Sequence, residues 1–236
     1  MITIDAEAKR IIDAVRTDKR CNLSVDEAFR VCDVCGIPTA PWQIAKSESS
    51  AITSAQRIGY PVALKIISPE IVHKTEAAGV MLNISGEDAL KAAYHLIIKR
   101  ALMGDPERQI RGVLVQSMIA PGTEIIVGAL RDEQFGPSVM FGLGGVFAEA
   151  LNDVSFRVAP LSRRDANDMI NDLRSSSIMK GFRGRPAPDR EAIIDILLKV
   201  SEIIVAFREI ESLDLNPVIV HEKGAVAVDS RIMIQQ

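Results

Sequence analysis

The sequence predicts an α+β fold, a mixed, largely antiparallel sheet with helices on one face. Three observations predict it. Helical periodicity with cap residues fills the chain up to Gly59, β-rich runs follow from Pro61 onward, and two closing strands meet at a tight turn after a long amphipathic helix. The 236 residues suffice for one large domain or two lobes, and 47% apolar with 25% charged residues gives enough material for a packed core. A formal charge of −3 argues against a binder of nucleic-acid phosphates, and 4% aromatics argues against base-stacking platforms. The longest apolar run is broken by Asp195, Lys199 and Glu202, so no bilayer span and no membrane partner are expected. Met1–Arg10 carries no apolar signal core, and three cysteines are an odd number. Both point to a reducing, cytoplasmic location.

The elements follow in order. Ser24 with Glu27 makes a capping box, so a helix should run from Val25 to Cys35 and stop at Gly36 and Pro38. Trp42–Lys46 reads as a short strand. Ser47 caps a second helix that ends at Gly59. Pro61–Ile67 and Val80–Ile84 are strands, and the polar stretch Ser68–Gly79 between them is too long for a simple hairpin, hence a lid or a site. Glu87–Met103 is a helix with an apolar stripe. Strands follow at Gly112–Met118, Thr123–Leu130, Ser138–Phe141 and Ser155–Ala159, with a glycine cluster at Gly142–Gly145. Arg163–Leu173 is a helix, Gly181–Pro186 a loop, and Asp189–Phe207 a long amphipathic helix. Ser212–Val220 and Ala225–Ile232 close the chain. The expected division is an N-terminal helical extension at 1–22, a lobe at 23–115 and a second lobe at 116–236.

The closing hairpin yields a site by arithmetic. Opposite residues of an antiparallel pair have a constant residue-number sum. A turn over Glu222-Lys223 pairs His221 with Gly224, a sum of 445. The same sum sets Asn216 opposite Asp229 and Asp214 opposite Arg231. Alternation puts Asp214 and Asn216 away from Leu213 and Leu215, and Asp229 and Arg231 away from Val226 and Val228. Two carboxylates and an amide oxygen suit Mg²⁺, a hard ion that takes oxygen ligands. The same square also fits a solvated face with an ordinary cross-strand Asp–Arg pair.

Other groups are consistent with phosphate and nucleoside chemistry. Lys65 is a cation inside an apolar strand, which reaches either a phosphate or, on an edge strand, solvent. Gln116-Ser117-Met118 ends a strand and could present a purine-binding edge, with Glu124 placed for ribose hydroxyls. Gly144-Gly145 permits close approach of backbone to a ligand, or is a plain turn. His73 is a phosphoryl acceptor in type, and Lys74 beside it would stabilise the phosphate charge. His95 and His221 receive no role. Cys32-Asp33-Val34-Cys35 has no second cysteine pair for zinc and lies at a helix end, so both cysteines are read as structural.

Together the residues resemble a known family. Gly59-Tyr60-Pro61-Val62-Ala63-Leu64-Lys65, Ser68-Pro69-Glu70-Ile71-Val72-His73-Lys74-Thr75, Phe135-Gly136-Pro137, Phe141-Gly142-Leu143-Gly144-Gly145, Asp214-Leu215-Asn216-Pro217 and Asp229-Ser230-Arg231 resemble, in this order, the ATP-grasp β subunit of ADP-forming (NDP-forming) acetyl-CoA synthetases. The succinyl-CoA synthetase β subunit is more distantly similar. The resemblance implies two lobes with ATP or ADP held between two sheets. It implies that Lys65 binds phosphates, Gln116, Ser117 and Met118 the base, and Glu124 the ribose. It implies Mg²⁺ on Asn216 and Asp229, supported by Asp214 and Arg231. It also implies that His73 relays a phosphoryl group between Mg-ADP and a separate α subunit carrying the CoA-binding and phosphohistidine domains, in an α2β2 heterotetramer. Ala77-Ala78-Gly79 stands where the family usually has a Gly-Gly pair, and no CoA-binding segment is present. Two alternatives stay open at the level of sequence: an ATP-grasp carboxylate–amine ligase, and a nucleotide-sensing regulatory module. The acid, the choice of ATP or GTP, and the direction of reaction are not encoded in these motifs.

Overall fold

The structure is a computed structural model and describes residues 5–71, 79–103, 105–145, 153–181 and 186–235. The chain divides into two compact units. The first takes Met1–Leu23, Ala28–Thr39 and Pro121–Gln236, the second Ser24–Glu27 and Ala40–Ala120. The first unit is therefore discontinuous in sequence, unlike the expected division after residues 22 and 115. Its N-terminal helix is no extension, because Ala8, Ile12 and Val15 are fully buried in that unit's core.

In the first unit, α1 (Ala6–Thr17) starts at Asp5, whose carboxylate accepts from the Glu7 and Ala8 N–H groups at 2.8 and 3.2 Å. Helix α2 spans Val25–Val34, its first residues falling in the second unit. The sheet is built from β5 (Thr123–Asp132), β6 (Gly136–Leu143), β7 (Val154–Val158), β8 (Ile210–Val220), β9 (Ala225–Ala227) and β10 (Arg231–Ile234). Its order is β10-β8-β5-β6-β7, with β9 also paired to β8, and every ladder is antiparallel. Helices α5 (Arg163–Asn171) and α6 (Arg190–Ala206) pack on it, α5 on β6 and β7, and α6 on β5, β6 and β8. Ile125, Val127, Val139, Phe141, Leu213, Leu215 and Ile232 line that face and share one core with α1, α2, α5 and α6. Residues between them along the strands, among them Glu124, Ile126, Gly128, Met140, Asp214 and Arg231, belong to the opposite face.

In the second unit the sheet order is β1-β4-β2-β3, with β1 at Trp42–Ala45, β2 at Val62–Ile67, β3 at Val80–Ile84 and β4 at Gly112–Ser117. Helix α3 (Glu48–Ile58) opens with a capping box in which the Ser47 hydroxyl and the Ser50 backbone and side chain satisfy each other, and closes at Gly59, φ +94°. Helix α4 (Glu87–Ala101) carries Glu87 and Asp88 in its first turn and Lys99 and Arg100 in its last, complementing the helix dipole. Helix α3 packs on β1 and β4 and α4 on β2 and β3, and with Val62, Leu64, Ile66, Val113 and Val115 they form a second, separate core. Among the described residues no helix is long and apolar enough to cross a membrane.

Candidate functional site

The terminal hairpin forms with the expected register. Val218 faces Ala227 and Val220 faces Ala225, and the His221 N–H donates to the Gly224 carbonyl at 3.0 Å. Arg231 faces Asp214 and Ile232 faces Leu213, so the residue-number sum stays at 445 from the turn as far as Met233, where the register shifts before Ile234 pairs with Ile210. The expected single strand Ala225–Ile232 is instead two, β9 and β10, interrupted at 228–230. Asp229 lies in that interruption. Asn216 lies opposite it, in a bulge of β8: Ile125 pairs with Val218 and Val127 with Leu215, so Asn216 and Pro217 together oppose one residue, Ile126.

The bulge corrects the predicted facing of the last strands. Leu213 and Leu215 are buried before it, Val218 and Val220 after it, so the inward phase of β8 switches by one residue. The partner segment switches with it. Ala225 and Ala227 face the core, while Val226 and Val228 are only half-buried. Simple alternation had the valines inside. It fails because one inserted residue exchanges the faces of everything beyond it.

Asp214 is half-buried over Gly128; a β-carbon there would lie 3.9 Å from Asp214 Oδ1. Burial first, and then the negative charge of Asp229, push the Asp214 carboxyl above its ordinary range, while Arg231 opposes the shift. Asp229 and Arg231 therefore both lie near enough to act on Asp214. The Arg231 Nε is buried with no hydrogen-bond partner among the described residues. The donor set is oxygen only. Among the described residues no cluster of three or more His, Cys, Asp or Glu side chains could hold a metal by itself. Asn216 and Asp229 thus fit Mg²⁺, which binds through one or two carboxylates and completes its shell with water and phosphate oxygens. They do not fit an ion that demands a full protein cage.

Glu124 and the glycine pair meet on the same unit. The Gly144 N–H donates to the Glu124 carbonyl at 2.8 Å. A β-carbon on Gly144 would fall 3.1 Å from Glu124 backbone and 3.2 Å from the Ile125 nitrogen. Gly145 has φ +72°, and a β-carbon on it would lie 3.0 Å from Glu124 Oε2. The turn therefore runs flush against the exposed Glu124.

In the second unit, Lys65 pairs with Leu114 and Ala63 with Gln116 across β2 and β4. Lys65 and Gln116 are thus diagonal neighbours on the sheet face opposite the helices. β2 is an interior strand and Lys65 is 6% exposed, which removes the edge-lysine alternative. Gln116 is 2% exposed and its Nε2 has no hydrogen-bond partner among the described residues. The Ser117 and Met118 N–H groups already donate to the Pro41 and Pro61 carbonyls, at 2.8 and 3.1 Å. A base edge at this segment would therefore meet the Gln116 amide and main-chain carbonyls, not those two N–H groups. His73 and Lys74 lie outside the described residues.

The structure thus gathers Asp214, Asp229 and Arg231 in one group, Glu124, Gly144 and Gly145 in a second, and Lys65 with Gln116 in a third. Sequence reasoning missed Gly128 and Met140, which share the face with Asp214. The alternation of β5 and β6 carried that signal, since a glycine amid Ile126 and Leu130 marks room for a neighbour.

The ATP-grasp domain family matches residues 14–234. The Acetate–CoA ligase [ADP-forming] I subunit beta of Pyrococcus furiosus is 41% identical over 229 residues, covering 97% of this chain and 98% of that one. The dinucleotide-forming acetyl-coenzyme A synthetase 1 of Ca. Korarchaeum cryptofilum, solved with coenzyme A and Ca-AMPCP, superposes with a TM-score of 0.93 at 44% identity, covering 97% of this chain and 100% of that one. A second structure of that enzyme holds coenzyme A and Mg-AMPPCP with its phosphohistidine segment pointing towards the nucleotide site, at 41% identity and a TM-score of 0.84, with the same coverage. This chain belongs to the ATP-grasp family and, within it, to the β subunits of the ADP-forming acetate–CoA ligases.

Proposed function

We propose that this chain binds the nucleotide of an ADP-forming acyl-CoA synthetase and moves a phosphoryl group between His73 and Mg-ADP, in either direction. The observation that supports it most is the terminal hairpin: its register, derived from residue spacing alone, recurs in the fold and sets Asp214 against Arg231 beside Asp229. On this reading Asn216 and Asp229 hold Mg²⁺, and Asp214 and Arg231 flank them on the same hairpin and support the site. Mg²⁺, when bound, neutralises phosphate charge. Lys65 steadies the phosphate tail. Glu124 receives the ribose hydroxyls, with Gly144 and Gly145 leaving room for them. The Gln116–Met118 segment receives the base. Lys74 offsets charge on the phosphoryl group carried by His73. Each role is positioning and charge complementarity, which is where protein contributes most to phosphoryl transfer.

The 236 residues correspond to a β subunit, so on this reading the acyl-CoA chemistry belongs to an α subunit with its own phosphohistidine, in a cytoplasmic α2β2 assembly. Incubation with labelled ATP and Mg²⁺ tests the core of this reading. The parent chain should acquire alkali-stable, acid-labile phosphate on His73, and the His73→Asn chain none. Equal labelling of the variant removes His73 from the relay. A carboxylate–amine ligase would leave both chains unlabelled.

A further inference from the structure

Helix α2 meets the segment that carries Asp229 at three points. Ahead of the helix, the Leu23 N–H donates to the Ile232 carbonyl at 3.0 Å, and Asn22 bridges to Met233. Beyond it, the Ala227 N–H donates to the Pro38 carbonyl at 2.9 Å, and Thr39 bridges to Ala227. Between these, the Cys32 thiol meets the Ser230 hydroxyl, Sγ to Oγ 3.3 Å. Both side chains are buried, Ser230 to 3% exposure. Burial pushes the Cys32 thiol up to about 12, so it stays protonated and is neither nucleophile nor metal ligand. Its hydrogen-bonding capacity is directed at Ser230.

The location gives this contact its consequence. Asp229 and Arg231 are the direct neighbours of Ser230 in the chain. Residues 228–230 belong to no strand; the Val228 N–H still donates to the Pro217 carbonyl of β8 at 3.0 Å, and the Ser230 side chain meets Cys32. Metal affinity depends on the groups that orient a ligand as well as on the ligand itself. We propose that Cys32 and Ser230 are positioning residues: their contact holds the Asp229–Arg231 segment at the reach a divalent cation requires, and so tunes affinity for the cation and not for the nucleotide alone. This rests on the reading that Asn216 and Asp229 hold that cation.

The test uses the full chain, Mn²⁺ as the probe cation with ADP present, and the electron paramagnetic resonance signal of free Mn²⁺ as readout. ADP binding in metal-free buffer is measured in parallel by calorimetry. Ser230→Ala and Cys32→Val should each weaken Mn²⁺ binding about 10-fold, as loss of an outer-shell partner does. Metal-free ADP binding should be unchanged, and Cys32→Ser, which keeps a hydrogen-bonding group, should retain the parent's Mn²⁺ affinity. Should Cys32→Val fail to fold, Ser230→Ala, which removes a single hydroxyl, decides. Parent-like Mn²⁺ binding by Ser230→Ala and Cys32→Val, with Asp229→Asn impaired, overturns the positioning role and leaves the cation site standing. Equal losses of Mn²⁺ and metal-free ADP affinity mean packing only and overturn it too. Parent-like Mn²⁺ binding by Asp229→Asn overturns the cation site and this inference together.

Discussion

A β-carbon on Gly144 would press on Glu124 backbone at 3.1 Å, whereas one on Gly145 would meet the end of a flexible carboxylate at 3.0 Å. The two glycines are therefore not equivalent. Gly145→Ala should cost about 1–2 kcal/mol, mostly for a side chain at positive φ, because the Glu124 carboxylate can swing aside. Gly144→Ala must displace a strand and should cost more, up to about 3 kcal/mol. Urea denaturation of the two variants checks the order. At this scale the sequence was legible where chemistry forces a residue type: a lysine in an apolar strand, a glutamate beside a glycine pair, carboxylates across a hairpin from an arginine. It was mute where a neighbour comes from far along the chain. Nothing near Cys32 announces Ser230, 198 positions away, and the glycine at 128 marks room for a neighbour without saying that Asp214 fills it.

Among the elements, α6 shows how a cap can serve two structures. Asp189 accepts from the Ala192 N–H at 3.1 Å inside the helix and from the Gly224 N–H at 2.8 Å in the β8–β9 turn. The Gly224 bond, then the Ala192 bond, hold its carboxyl below the ordinary range. A carboxyl depressed in the folded state adds stability above its unfolded pKa and loses it as pH falls through the folded one. Asp189→Ala should therefore cost about 1 kcal/mol at neutral pH, and the gap to the parent should close as pH drops below about 4, as followed by denaturant titrations at several pH values. The start at Ser47 was readable, because it is a cap residue whose partner sits three residues on, whereas the caps Ser162 and Asp189 appear only in the structure. The bulge at Asn216-Pro217 was not readable. A hydrophobic pattern reports a period and cannot say where that period slips, and here the slip depends on β5, which lies about ninety residues earlier.

For the whole molecule, two separate hydrophobic cores predict two unfolding events. Leu64 and Phe141 are fully buried, one in each core. Leu64→Ala should lower one calorimetric transition by removing about 2–5 kcal/mol, and Phe141→Ala should lower the other by about 3–5 kcal/mol. Both transitions moving together in either variant would show one cooperative unit instead. The α+β class and the antiparallel pairing were legible from the clustering of β-rich runs. The discontinuous first unit was not, since no local signal tells α1 to pack against strands that begin at Thr123.

The bond between Cys32 and Ser230 also carries a consequence in time. A ribosome delivers α1 and α2 long before Ser230, so their apolar faces have no sheet to cover while most of the chain is still being made. Asp214, Ser230 and Arg231 all lie in the last part of the chain, so the hairpin that the proposed cation site needs is complete only after most of the chain has been made.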